Sequence, residues 1–194
     1  MAAVVSPEYV RARWAYSEIL SPQHGHLYRG QGMPALKWKA RRGVAFDVLG
    51  SADRSLLAKQ FGYVRGAYFN PYLLGITSFG LERWSRDQLA ASQIIPWFAR
   101  EIGRSNEPLT FREWIEAEPK VPLDRSHARY AAGQAGSPFK QNHPVTLGIE
   151  PQSMSPVLLD GYHRAVGFWR KSDIKGTLTV YVPRTDVVSP TLGP

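Results

Sequence analysis

Residues 144–182 read PVTLGIEPQSMSPVLLDGYHRAVGFWRKSDIKGTLTVYV, and their pattern decides the fold class. The runs PVTLGI (144–149), PVLL (156–159) and TLTVYV (177–182) are short and rich in Val, Ile and Leu. Gly, Pro and Ser bound them, which is the signature of strands. Between the second and third runs, Asp160-Gly161-Tyr162-His163-Arg164 forms a turn into a helix that runs to about Lys171. The order β-β-α-β, with its short crossover helix, predicts a parallel or mixed sheet surrounded by helices, an α/β (α+β) fold. The tail from Pro183 reads as loose.

Upstream, Ser6-Pro7 reads as N-cap and first position of a helix to about Leu20. His24-Gly25-His26 opens a turn-rich stretch that continues to Pro34. No third ligand stands near this histidine pair, so both are read as loop histidines rather than metal ligands. GVAFDVL (43–49) predicts a short strand, and Ser51 a helix that Gly62 ends. Residues 63–80, aromatic and Gly-rich, read as extended structure and loops, with the aromatics serving the core. Ser85 and Gln88 form a capping box for a helix reaching Gly103, kinked or restarted at Pro96. Thr110 and Glu113 form a second box, heading a helix through about Glu118 that stops before Pro119. Residues 119–144 follow as a long loop carrying Arg125, His127, Arg129, Lys140 and His143, of the kind that often serves as a lid or binding loop.

The chain has 194 residues, which predicts a single domain spanning 1–194. It has 24 Lys+Arg against 16 Asp+Glu, a formal charge of +8, and 43% apolar residues. That composition is globular rather than disordered. With no cysteine, disulfide frameworks, thiolate metal sites, Fe–S clusters and cysteine nucleophiles are excluded. No apolar run approaches ~18 residues, and the N-terminal stretch lacks the pattern of a secretory signal. The expectation is a soluble cytoplasmic protein, held at the inner face of the membrane only if a partner holds it there.

The positive charge is concentrated in a basic, helical N-terminal part, residues 1–65, with ten Lys/Arg against four Asp/Glu. Its densest stretch is Lys37-Trp38-Lys39-Ala40-Arg41-Arg42. Lys37, Lys39, Arg41 and Arg42 suit a DNA backbone, because each cation displaces condensed counterions and Trp38 offers a stacking face. A plain solvated surface has the same composition, and an anionic membrane or an acidic partner protein would attract it equally.

The turn at 160–164 carries the chemistry. The first amides of a helix are unpaired and partly positive. Gly161 removes the side chain that would block close approach. Gly161, Tyr162, His163 and Arg164 then present amides, a ring and a planar guanidinium fork to a phosphate. Asp160 caps the helix or holds Mg²⁺ through water, with Glu150 the next nearest carboxylate in sequence. The same residues also fit a plain helix start, with Asp160 as N-cap, His163 a partly buried ring and Arg164 a surface cation. No G-x-x-x-x-G-K-[ST] occurs, so a Walker P-loop is excluded.

Strand, D-G-x-H-R, helix and a strand ending in V-x-V-P together resemble the core of the ParB/sulfiredoxin superfamily. The resemblance covers about residues 143–183. It implies a nucleotide phosphate, ATP as ligand or substrate, on a G-x-H-R turn. Sulfiredoxins have Cys where this chain has Tyr162, so sulfinic-acid reduction is not expected. Chromosome-segregation members carry G-E-R-R at the turn and a helix-turn-helix domain after it. Here the turn reads G-Y-H-R and about ten residues follow the third strand, so a centromere-binding clamp is not expected. The small stand-alone members of the fertility-inhibition or oncogenic-suppression type are similar in size and charge. They imply ATPase and DNase activity that blocks transfer of a competing plasmid or T-DNA, with a type IV secretion component as partner. In that reading His163 moves a proton or binds phosphate, Arg164 neutralises charge, and Asp160 completes the catalytic set. The alternative is a non-catalytic nucleotide- or DNA-binding protein that blocks a partner by occlusion.

Overall fold

A computed structural model describes residues 3–21, 24–96, 108–117, 144–170 and 176–185. The elements in chain order are β1 (Val4–Val5), α1 (Pro7–Glu18), α2 (Met33–Arg41), a 3₁₀ turn (Phe46–Val48), α3 (Ser51–Leu73), β2 (Ser78–Trp84) and α4 (Arg86–Ala91). There follow β3 (Gln93–Ile94), α5 (Phe111–Glu116), β4 (Val145–Ile149), β5 (Pro156–Asp160), α6 (Tyr162–Arg170) and β6 (Leu178–Arg184). The strands form one six-stranded mixed sheet in the order β1-β2-β6-β4-β5-β3. β6 pairs parallel with β4 and β3 parallel with β5, while the other pairs are antiparallel. This is the α+β architecture expected from residues 144–182. The upstream part supplies three of the strands as well as helices.

Two apolar clusters pack on opposite faces of the sheet. One joins α1, α2 and α3 to Phe79, Val157, Leu159 and Tyr181. The other joins α4, α5 and α6 to Val145, Leu147, Leu158 and Val180. The strand residues alternate between the two, as a period of two requires when both faces are covered. The layers approach closely at Gly148, where a Cβ would lie 2.6 Å from the Tyr72 carbonyl oxygen. Only a glycine lets α3 sit that close to β4.

Local signals decided several elements. Ser6 accepts from the Tyr9 amide, and Ser85/Gln88 and Thr110/Glu113 both form complete capping boxes. Four expectations are corrected. The chain is not loose from Pro183, because β6 runs on through Pro183 and Arg184, which pair with Phe79 and Ser78. Residues 43–49 are not a strand: Phe46 and Leu49 are buried while Val48 is 73% exposed, a spacing of three that suits a 3₁₀ turn. α3 does not end at Gly62 but runs on to Leu73, through the stretch expected to be extended. Its inward stripe is Leu57, Phe61, Arg65, Phe69 and Leu73, four residues apart, and the charge of Arg65 interrupts the apolar pattern. Pro71 falls in the last turn, so the helix ends soon after it. The helix opened by Ser85 breaks at Ala91, because Gln93 and Ile94 pair with Val157 and Leu158. Pro96 is helical again, as a restart there requires, and residues 97–103 lie outside the described residues.

Gly62 is exposed, and a Cβ there would meet nothing within 4 Å. Gly62→Ala is therefore expected to stabilise the protein by about 0.5–1 kcal/mol. A rise in the urea midpoint at unchanged slope checks it, and a fall would show that α3 is not regular at this point.

Candidate functional site: the Asp160 end of the sheet and the basic face of helix α2

The Asp160–Arg164 turn is a tight strand-to-helix junction. Gly161 has φ +90°, and a Cβ would lie 2.7 Å from Arg164 Nη2 and 2.8 Å from Val145 Cγ2. Arg164 folds back over this glycine. Its Nη2 donates to Asp160 Oδ2 at 3.3 Å and to the Pro144 carbonyl at 3.4 Å. Its side chain is 15% exposed, and its buried Nε makes no hydrogen bond. Arg164 is thus a half-engaged cation lying on the turn.

Tyr162 faces inward. Its hydroxyl donates to the Leu158 carbonyl at 2.8 Å and accepts from the Ile95 amide at 3.1 Å, with its ring edge-on to Trp114. It ties α6 to the sheet. His163 lies in the first turn of α6, and its side chain falls outside the described residues. Arg125, His127, Arg129, Lys140 and His143 also fall outside them. Glu150 stands at the far end of the β4–β5 hairpin, since Thr146 pairs with Asp160 and Ile149 with Pro156. About four strand residues, roughly 13 Å, separate the two carboxylates, so Asp160 and Glu150 do not share a metal ion. Among the described residues no three His, Asp or Glu side chains gather as metal ligands.

A polar cluster on the α1–α3 side was not foreseen from sequence. Glu18, at the C-terminal end of α1, accepts from Trp14 Nε1 (3.1 Å), Tyr28 Oη (2.6 Å), Arg65 Nε (3.1 Å) and Arg65 Nη2. A carboxylate at a helix C-terminus opposes the macrodipole, so its partners are what hold it there. Burial works against the charge on Arg65, and the bonds and field of Glu18 outweigh it, leaving its pKa raised. Asp160 adds to that field. Burial first, and then Arg65, hold His24 below its ordinary value, while Glu18 and Asp160 pull the other way. Glu18 and Asp160 thus both act on Arg65 and on His24.

The same 24–26 turn reaches the basic stretch, which is helical. Met33, Leu36 and Ala40 form the buried face of α2. Lys37 donates to the Gly25 carbonyl at 2.8 Å, and Lys39 pairs with Asp53 at 2.6 Å. Trp38 is 56% exposed, and the Arg42 guanidinium stacks 5.2 Å from its ring centroid. Arg41 is exposed and, among the described residues, pairs with no carboxylate. The four predicted cations divide by face: Lys39 is engaged with α3, Lys37 and Arg41 flank the 25–26 turn, and Arg42 stacks outward. The 24–26 turn, read from the sequence as a plain loop, is tied to α2 by the Lys37–Gly25 hydrogen bond. Its signal in the sequence was the His-Gly-His spacing alone.

No family model matches this chain, and neither a curated protein nor a solved structure does. No described helix is long and apolar enough to cross a membrane.

Proposed function

We propose that the protein binds DNA phosphates on the outer face of α2. The observation that carries this reading is the exposed Trp38–Arg42 stack. The packing of α2 is already complete through Met33, Leu36 and Ala40, so the core does not need the exposed indole. A cation stacked on an aromatic face offers a base both a platform and a charge. Fluorescence anisotropy with labelled DNA across a salt series tests it. Affinity is expected to fall steeply with salt, and Trp38→Ala/Arg42→Ala to weaken binding by about tenfold or more, with a slope shallower by about one. Binding that ignores salt, or a double variant equal to wild type, would overturn the reading.

A second reading concerns chemistry at Asp160–Arg164, favoured by the positive φ of Gly161 and the half-engaged Arg164. In it the protein is a ParB/sulfiredoxin-type phosphohydrolase, acting on ATP or a DNA phosphodiester and inhibiting transfer of a competing plasmid or T-DNA. Arg164 leaves Asp160 and neutralises charge on the phosphoryl oxygens, and His163 moves the proton. The described carboxylates build no cage for a metal, so Mg²⁺ would enter with the nucleotide phosphates. Phosphate release from Mg·ATP and nicking of plasmid DNA test this reading. Arg164→Ala is expected to lower the rate by about 10²–10³. DNA or nucleotide binding without turnover in the wild type would leave occlusion of a partner, such as a type IV secretion component, as the mode of action.

A further inference from the structure

A hollow of about 330 Å³ lies between α2 and the turn that follows α1. Leu20 forms an apolar wall, and His26, Lys37 and Arg41 a basic rim, with Gly25 between them, while the Ile19 side chain beneath belongs to the core. Its volume is at the lower end of small-ligand sites, about 300–1,000 Å³. Leu20 is 41% exposed, a flat apolar surface that the core leaves uncovered. Lys37 and Arg41 stand four residues apart, so both side chains rise from one face of the helix. The Gly25 carbonyl holds the Lys37 ammonium in place and leaves it two donors for a ligand. Arg41 brings a whole fork that no described carboxylate engages.

The shape separates this hollow from the outer face of α2. An internal phosphodiester carries one charge and continues into nucleotides on both sides, which suits the exposed Trp38–Arg42 surface. A terminal phosphate carries about −1.5 to −2 at neutral pH, and with one nucleoside behind it enters a concave site. We propose that the hollow binds a nucleoside phosphomonoester, its phosphate on Arg41, Lys37 and His26 and its base against Leu20. This deepens the reading of α2 as a phosphate-binding face and rests on it. The phosphomonoester comes either from a free mononucleotide or from the 5′ end of a DNA strand.

Calorimetry on the full chain tests the proposal with deoxyadenosine 5′-monophosphate, deoxyadenosine and inorganic phosphate. The monophosphate is expected to bind about tenfold or more tighter than either fragment, because both walls contribute only together. Arg41→Ala is expected to remove about tenfold. Leu20→Ser, an exposed change outside the DNA-contact residues, weakens the monophosphate severalfold and leaves 5′-hydroxyl DNA binding unchanged. Thermal melts confirm that both variants fold. An oligonucleotide that gains Arg41-dependent affinity from a 5′-phosphate identifies the strand end as the source. No such gain, with the mononucleotide still bound, identifies the free nucleotide. Inorganic phosphate binding as tightly as the monophosphate, or a monophosphate indifferent to Arg41→Ala and Leu20→Ser, overturns the proposal. The DNA reading fails separately, on 5′-hydroxyl DNA and the Trp38→Ala/Arg42→Ala variant.

Discussion

Glu18→Ala is expected to destabilise the protein by about 3–5 kcal/mol, the range for breaking a buried ion pair from one side. Glu18 and Arg65 side chains are 12% and 16% exposed, so neither charge can turn to bulk water. Removing the carboxylate leaves the guanidinium without its counter-charge and strands the Tyr28 hydroxyl and the Trp14 indole N–H. Both belong to residues at most 2% exposed in the α1–α3 cluster. Burial, then the Glu18 charge, already push the Tyr28 hydroxyl far above its ordinary range, so it stays a donor and cannot replace the lost anion. Urea unfolding of wild type, Glu18→Ala, Arg65→Met and the double variant measures the pair. The double variant is expected to recover part of the loss, because no bare charge then remains. A Glu18→Ala loss below about 1 kcal/mol would mean that the pair behaves as a surface bridge.

Gly161→Ala is expected to lose about 2–4 kcal/mol and to dislodge Arg164. A left-handed backbone at an alanine costs about 1–2 kcal/mol, and forcing a methyl into filled space adds about 1–3 kcal/mol. Arg164 Nη2 can swing away, but Val145 Cγ2, 2.8 Å from the new Cβ, sits on a central strand and cannot. Gly43→Ala is the control: its φ is +74° and nothing lies within 4 Å, so only the backbone part should appear. The difference between the two variants isolates the packing at the turn. Equal losses would show that Arg164 and Val145 do not close over Gly161 in solution.

The legible parts of this protein are those whose causes are near neighbours. Ser6 with Tyr9, Ser85 with Gln88 and Thr110 with Glu113 are three-residue relationships, and each cap stands where the sequence predicts it. The three C-terminal strands and α6 were readable because an apolar run or a turn signals itself. α3 past Gly62 was not readable. Its stripe is regular only once Arg65 counts as an inward residue, and Arg65 is inward only because Glu18 lies opposite, 47 positions away. The 43–49 segment carries strand-forming residue types, but Gly43 with its positive φ turns the chain and the burial of Phe46 and Leu49 follows a three-residue period. Tertiary packing overrode propensity there.

At the site, composition marked Lys37–Arg42 and local pattern marked Asp160–Arg164, but neither showed which cations were engaged. Lys39 is taken by Asp53, Lys37 by Gly25 and Arg164 by Asp160 and Pro144. The sequence alone determines a basic, cysteine-free chain with a β-β-α-β C-terminal unit and three cap-defined helix starts. Those follow from charge, residue type and contacts within a turn. The tertiary structure alone decides that β2 and β6 pair, with Ser78 opposite Arg184. It also decides that the three upstream strands bracket the C-terminal three, and that the 24–26 turn is held to α2 by the Lys37–Gly25 bond. Such contacts depend on loop closure over tens of residues and on two apolar faces finding cover at once, and no local window of sequence contains that information.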